Sequence, residues 1–121
     1  MGLSLKADTD DLRESPQVHL VKQLLGEGRE VTVWDENVLL GRLVASNREY
    51  IESAIPHIAA LLCENSDDAI KNADIVILAT KVVHRDELET RLRADQSVID
   101  LVNFEKSRRP VTRGNYEGIC W

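Results

Sequence analysis

Apolar residues change their period several times along the chain, and each change marks an element. Leu3–Lys6 begins as a short apolar run and then turns sharply polar through Asp8, Asp10 and Asp11. From Pro16 the apolar positions recur at helical spacing. Val18, Val21, Leu24 and Leu25, with Leu20 beside them, predict a helix from Pro16 to about Leu25. Ser15 suits the N-cap, Pro16 suits a first helical position that needs no N–H, and Gly26 and Gly28 supply the stop. Glu30–Trp34 then reads as a strand ending at Asp35, which completes a βαβ unit with a right-handed crossover.

Beyond Asp35 the pattern loosens. Asn37 to Val44 predicts a short helix broken near Gly41. Ser46 with Glu49 matches a capping box, and Tyr50, Ile51, Ala54, Ile55 and Ile58 follow at helical spacing. Pro56 inside that run predicts a kink or a helix end just before it. Ser66 reads as the cap of a helix through Lys71, with Asp67 and Asp68 suiting the dipole of its first turn. Asp74–Thr80 is a continuous apolar run, the pattern of a strand covered on both faces. Glu87 to Arg93 reads as a helix with Leu88 and Leu92 inward, and Ser97–Val102 as the last strand. The tail from Lys106 is polar, carries Pro110 and Gly114, and is expected to wrap the surface. Strands alternating with helices predict an α/β, Rossmann-like, doubly wound and mostly parallel sheet in three layers, with the strand order left open.

The length of 121 residues fits one domain, and the formal charge of −6 argues against a general nucleic-acid binder. Arg108, Arg109 and Arg113 form a local basic cluster, readable as a solvated loop or as a contact to phosphate or an acidic surface. Cys63 and Cys120 match no metal or CxxC spacing, which suits a reduced cytoplasmic setting. No apolar run is long enough to span a membrane. His19, His57 and His84 form no HxxH or HExxH pattern and read as surface or boundary residues.

The candidate chemistry lies in the opening stretch, which reads as strand, polar loop and helix N-terminus. Ligands of open parallel sheets sit at the carboxyl ends of strands, and a helix N-terminus there favours anions. Lys6 and Arg13 add positive charge, while Asp8, Asp10, Asp11 and Glu14 oppose it, so a clamp shared with another domain fits better than a bare phosphate loop. Lys6 can meet a phosphate or carboxylate oxygen, or pair with Asp8 or Asp10 at the surface. Arg13 can grip a pyrophosphate bidentately, or form a local salt bridge with Asp10, Asp11 or Glu14. Asp35 stands about 20 residues after the loop, where a Rossmann domain places its ribose-binding acid. No GxGxxG precedes it and Gly2 stands alone, so NAD binding by this domain's own loop is rejected. Asp35 then reads as a turn former, near a nucleotide ribose at most. Cys63 reads as a small buried hydrophobe, and nothing near Cys120 supplies the base a nucleophile needs.

Leu3-Ser4-Leu5-Lys6 followed by Thr9-Asp10-Asp11-Leu12-Arg13-Glu14-Ser15-Pro16 resembles the signature that opens the C-terminal domain of the UDP-glucose/GDP-mannose 6-dehydrogenase family. Asn47–His57 and the terminal Glu117-Gly118-Ile119-Cys120-Trp121 resemble the GDP-mannose branch. The resemblance implies that residues 1–121 form the nucleotide-sugar-binding domain of an enzyme whose N-terminal NAD domain and central domain are other parts of the polypeptide. It implies a double NAD-dependent oxidation of a sugar C6 alcohol to a carboxylate, through a thiohemiacetal on a cysteine outside this chain. Lys6 would contact the nucleotide sugar, GDP-mannose or its product GDP-mannuronate, and Arg13 would reach the NAD. Thr9, Asp10 and Ser15 would shape the loop. The chain alone would be inactive, and the full-length enzyme a homo-oligomer. The family's first strand begins several residues earlier, which implies a truncated strand and a marginally stable sheet. Two alternatives stand. One is the same domain of a UDP-sugar dehydrogenase. The other is a non-catalytic interaction module like a receiver domain, with Asp35 and Asp100 at strand ends but without the paired acids beside the first strand.

Overall fold

The structure, a computed structural model, describes residues 1–3, 12–38, 45–81, 85–103 and 115–119. β1 (Ile75–Leu78), β2 (Ser97–Asp100) and β3 (Tyr116–Gly118) form a parallel sheet in that order, with Ile75 opposite Ser97 and Val98 opposite Tyr116. Backbone hydrogen bonds extend it on the other side. The Met1 amine donates to Ile77 O at 2.6 Å and Ala79 N–H donates to Met1 O at 2.8 Å, the bond pair of a parallel ladder centred on Leu78. Gly2 N–H donates to Trp34 O at 2.8 Å. Val33 N–H donates to Leu61 O and Val33 O accepts from Cys63 N–H, each at 2.8 Å, making a parallel bridge to Leu62.

The lateral order is therefore residues 61–63, residues 33–35, residues 1–3, β1, β2, β3. By chain position that is third, second, first, fourth, fifth, sixth, the order of a doubly wound dinucleotide-type sheet. The expected α/β, Rossmann-like class is the one observed. Three details differ. The ladder bonds of the leading segment fall on Met1 and Gly2, ahead of the expected Leu3–Lys6, whose last three residues lie outside the described ones. A short piece at 62–63, just past the helix Ile58–Leu61, borders the sheet. Residues 116–118 also form a strand, β3, paired to β2, where a surface-wrapping tail was expected. β3 is held from its side chains as well as its ladder. Tyr116 OH donates to the Asp100 carboxylate, which also accepts from Val102 N–H at 2.9 Å.

Helices match the apolar periodicity and depart from it at their caps. α1 (Pro16–Gly26) ends in a Schellman pattern. Gly28 (φ 75°) donates to Leu25 O and Arg29 donates to Leu24 O, both at 3.0 Å. α2 (Ala45–Ala54) already contains Ser46, so the expected capping box does not start there. It stops before Pro56, and His57 turns the chain through φ 66° into α3 (Ile58–Leu61). α4 (Ser66–Lys71) is capped by Asn65 rather than Ser66, because Asn65 Oδ1 accepts from Asp68 N–H at 2.9 Å. α5 (Arg85–Arg91) buries Leu88, with Leu92 packed behind it. The expected helix over Asn37–Val44 falls mostly on residues outside the described ones.

Two apolar clusters result. One joins Leu3 and Val33 to Leu12, Val18, Val21, Ile51, Ile55 and Ile58, under α1 to α3. The other joins Val76, Leu78 and Val98 to Ile70 and Leu88, under α4 and α5, with Met1 and Tyr116 at its border. Right-handed crossovers running in opposite directions from the sheet centre place α1 and α5 on opposite faces, which gives the three layers.

Gln96, 1 % exposed, holds the exit of α4. Its Nε2 donates to Ile70 O and Ala73 O, both at 2.7 Å, and its Oε1 accepts from Arg93 N–H at 2.8 Å. Gln96→Leu removes these three bonds and leaves Arg93 N–H without its acceptor, while Ile70 O keeps Ala73 N–H and Ala73 O keeps the Arg93 guanidinium. It should destabilise the chain by roughly 1–3 kcal/mol, read as a fall in the urea midpoint. A second measurement concerns the Met1 amine, which burial pushes down from 8.0 to about 6 against the opposing pull of Asp35. The unfolded amine binds its proton up to about pH 8, the folded one only to about pH 6. The unfolded state thus holds more protons in that window, and stability should rise with pH across it. The gain is on the order of 2–3 kcal/mol, seen in urea melts below and above the window, and blocking the amine by acetylation should abolish it.

Candidate functional site

Residues 1–3 and β1 are neighbours whose onward connections leave in opposite directions. The chain runs from residue 3 through α1 to residues 33–35, and from β1 through α5 to β2. Their carboxyl ends flank the topological switch point, where open α/β sheets take their ligands.

Three features of this sequence build the rim. Leu12, fully buried, anchors one end of a turn, and Ser15 N–H donates to Leu12 O at 3.3 Å to close it. Arg13 and Glu14 occupy the middle of the turn, both exposed, with Glu14 at φ 57°. Ser15 then starts α1 as expected, yet its hydroxyl does not cap the helix. It lies 2.8 Å from Leu3 O and 2.8 Å from Gln17 Oε1. Gln17 Nε2 in turn donates to Ala79 O at 3.2 Å. A strap of side chains therefore runs from the carbonyl of residue 3 to the carbonyl just past β1. Below it Gly2, at φ 89°, packs its Cα against Thr80, whose buried hydroxyl has no partner among the described residues. Lys81 follows, exposed, at the same edge. Among the described residues the strand ends at the switch point are thus linked by the domain's own side chains, with Arg13 and Lys81 exposed beside them.

Asp35 lies across from this rim but turns inward. It is 1 % exposed; its Oδ2 accepts from Leu3 N–H at 2.7 Å and its Oδ1 from Asn37 N–H at 2.9 Å. The turn-forming role is observed, with a backbone donor on each oxygen. Asp100 is likewise fully buried and engaged by Tyr116 and Val102. The strand-end acids that a receiver-type module would expose are therefore structural.

Arg13 is placed at the rim as the spacing suggested. Lys6, Thr9, Asp10 and Asp11 lie outside the described residues, as do His84, Cys120 and the cluster Arg108, Arg109 and Arg113. The sequence reading missed Gln17 and Lys81. A signal for Lys81 was its place directly after the Asp74–Thr80 run. For Gln17 there was none, since its partner is 62 residues away.

Other chemistry is sparse. Among the described residues no cluster of three His, Cys, Asp or Glu side chains could hold a metal, and no helix is long and apolar enough to cross a membrane. Cys63 is half-buried rather than buried, and burial followed by the Asp68 charge pushes its thiol up, away from nucleophile character. A shallow cleft of about 220 Å³, lined by Asp67, Ile70, Lys71, Arg91 and Arg93, lies at the opposite, amino-end edge. Its arginines are committed to structure. Arg91 pairs with Asp67 at 2.9 Å, and Arg93 pairs with Asp95 at 3.1 Å while donating to the carbonyls of Lys71 and Ala73.

Residues 1–106 match the profile of the UDP-glucose/GDP-mannose dehydrogenase family, UDP binding domain. A GDP-mannose 6-dehydrogenase of Pseudomonas putida is 45 % identical over 121 residues, all of this chain and 27 % of that protein. A UDP-glucose 6-dehydrogenase of Rickettsia felis is 32 % identical over 104 residues, 86 % of this chain and 20 % of that one. Among solved structures, a ternary complex of GDP-mannose dehydrogenase from Pseudomonas aeruginosa superposes with a TM-score of 0.79 at 39 % identity, over 99 % of this chain and 27 % of that chain. The chain thus spans about a quarter of the length of such relatives.

The contact between Gly2 and Thr80 gives this geometry a direct check. A Cβ on Gly2 would lie 2.7 Å from Thr80 N as well as against its hydroxyl, on a backbone that L side chains rarely adopt. Gly2→Ala should cost about 1–3 kcal/mol or more in a urea melt. Adding Thr80→Ala should restore only part of it, because the backbone nitrogen stays in place.

Proposed function

The chain belongs to the UDP-glucose/GDP-mannose dehydrogenase family, and we propose that it serves as the C-terminal, nucleotide-sugar-binding domain of an NAD-dependent GDP-mannose 6-dehydrogenase. The observation that supports this reading is the Ser15–Gln17 link across the switch point with the exposed Arg13 in the turn beside it. A domain that closed a dinucleotide into its own crevice would need the glycine-rich loop and an available strand-end acid. This one has a single Gly2 there and an Asp35 already engaged by backbone N–H groups. An anion can be met at the rim, with its other contacts supplied by a facing surface. Arg13, at the middle of a turn held at both ends, suits one phosphate group of a dinucleotide bound by another domain. Lys6, which lies outside the described residues and which the sequence sets at the start of the polar stretch, suits the anionic moiety of the nucleotide sugar. NAD, when bound, accepts the hydride; the residues of this chain bind and orient.

A UDP-sugar substrate is the second reading, favoured by the family profile's own description and by the 32 % identity to a UDP-glucose 6-dehydrogenase. Titrating the chain with GDP and with UDP separates the two, and tighter binding of UDP would favour the second.

The chain mixed with GDP-mannose and NAD should produce no NADH absorbance, and turnover by it alone would refute the domain assignment. Substituted for the matching segment of the Pseudomonas putida relative, it should support turnover. In that chimera Lys6→Ala should raise KM for the nucleotide sugar and Arg13→Ala KM for NAD. Each change should be about 10- to 100-fold, the worth of a charged hydrogen bond. Unchanged KM values in both variants would remove these residues from the site.

A further inference from the structure

Ser15 Oγ carries one hydrogen and stands 2.8 Å from two acceptors, Leu3 O and Gln17 Oε1. The Gln17 amide is oriented by what surrounds it. Its Nε2 faces Ala79 O at 3.2 Å, and the reverse orientation would set two oxygens against each other there. Gln17 thus spans from the first turn of α1 to the end of β1, and through Ser15 the tension reaches the turn that carries Arg13. Among the described residues that turn is anchored by the buried Leu12 and by the Ser15 bond to Leu12 O. Leu12 is fixed by apolar packing, whereas Ser15 is fixed by the strap.

We propose that Gln17 is a positioning residue for Arg13. Its side-chain amide, clasping Ser15 on one side and Ala79 on the other, fixes the pose from which the guanidinium meets a pyrophosphate-class anion. No shorter or apolar side chain does this. Asparagine falls one methylene short, glutamate lacks the donor for Ala79 O, and methionine fills the volume without either polar end. The anion half of the proposal rests on the reading of Arg13 given above; the clasp itself does not.

The test uses the 121-residue chain, labelled with ¹⁵N, as wild type and as Gln17→Met, Ser15→Ala, the double variant and Arg13→Ala. In Gln17→Met the amides of β1 and β2 should keep their shifts while the heteronuclear NOE falls at Arg13 and Glu14. Ser15→Ala, which also removes the bond to Leu3 O, should loosen the turn at least as much, and the double variant should loosen it no further than Ser15→Ala. Unchanged order at Arg13 and Glu14 in Gln17→Met overturns the proposal. Where Gln17→Met fails to fold, Gln17→Glu decides. It keeps the length, so the turn should be loose at neutral pH and recover when acid protonates the carboxyl and restores a donor to Ala79 O. A turn equally ordered at both pH values overturns the clasp. Inorganic pyrophosphate then probes the anion half, with Kd raised about five- to tenfold by Gln17→Met and more by Arg13→Ala. Binding that Arg13→Ala weakens and Gln17→Met does not overturns the positioning role and leaves the reading of Arg13 intact. Binding that is absent, or indifferent to Arg13, overturns that reading instead.

Discussion

Three residues hold two half-domains together. Residues 1–3 pair with Trp34 on one side and with the end of β1 on the other, and Leu3 N–H is taken by Asp35. Each apolar cluster belongs to one half of the sheet, so the seam between them depends on this short segment and on a few polar links. Thr32 Oγ1 donates to Ala69 O at 3.3 Å, and the Gln17 amide crosses to Ala79. Buried backbone groups need partners, and a central strand supplies them on both edges at once. The closeness it requires explains Gly2, because any Cβ there would meet Thr80. The same constraint puts carboxyl ends of opposite onward direction side by side, which is what makes a switch point.

Much of the fold was legible because burial leaves period in a sequence. The α1 spacing, the continuous run of β1 and the Leu88 and Leu92 pair each reflect a face in contact with a core. What was not legible has no such period. β3 has three residues, its middle one exposed, and its place comes from a ladder with β2 and a tyrosine reaching Asp100. Residues 61–63 join the sheet through a bridge to Val33 that no local pattern announces. Caps were ambiguous for a similar reason. Asn65 and Ser66 are both competent, and the choice is made by which oxygen reaches Asp68 N–H. Ser15 was assigned the right position and a different bond, since Leu3 O competes for its hydroxyl.

The candidate site divides along the same line. Arg13 stands out in the sequence because its neighbours form a long, distinctive string, and the structure places it exposed in the turn before α1. Asp35 sat at the distance a ribose-binding acid occupies, yet distance along the chain says nothing about which donors reach it first. Leu3 and Asn37 do, and a carboxylate with both oxygens engaged and 1 % exposure has little left for a ligand. Gln17 is the reverse case, an ordinary helix residue by composition whose partner appears only when β1 is laid beside residues 1–3.

In this sheet of dinucleotide-binding order the described groups at the switch point bond to one another. In an open crevice the helix N-terminus, the loop and the strand ends together surround a phosphate, and one domain suffices. Here Ser15 turns its hydroxyl down to Leu3, Gln17 fills the gap to Ala79, and the strand-end acids Asp35 and Asp100 look inward. Positive charge remains at the periphery, on Arg13 and Lys81, where water competes for any anion and one cation gives only weak binding. Such a rim becomes selective when a second surface excludes that water and supplies the remaining contacts, since charged hydrogen bonds strengthen as the local dielectric falls. Among the described residues the strand-end groups thus serve the sheet itself, and the exposed turn at Arg13 is what they leave for an anion to meet.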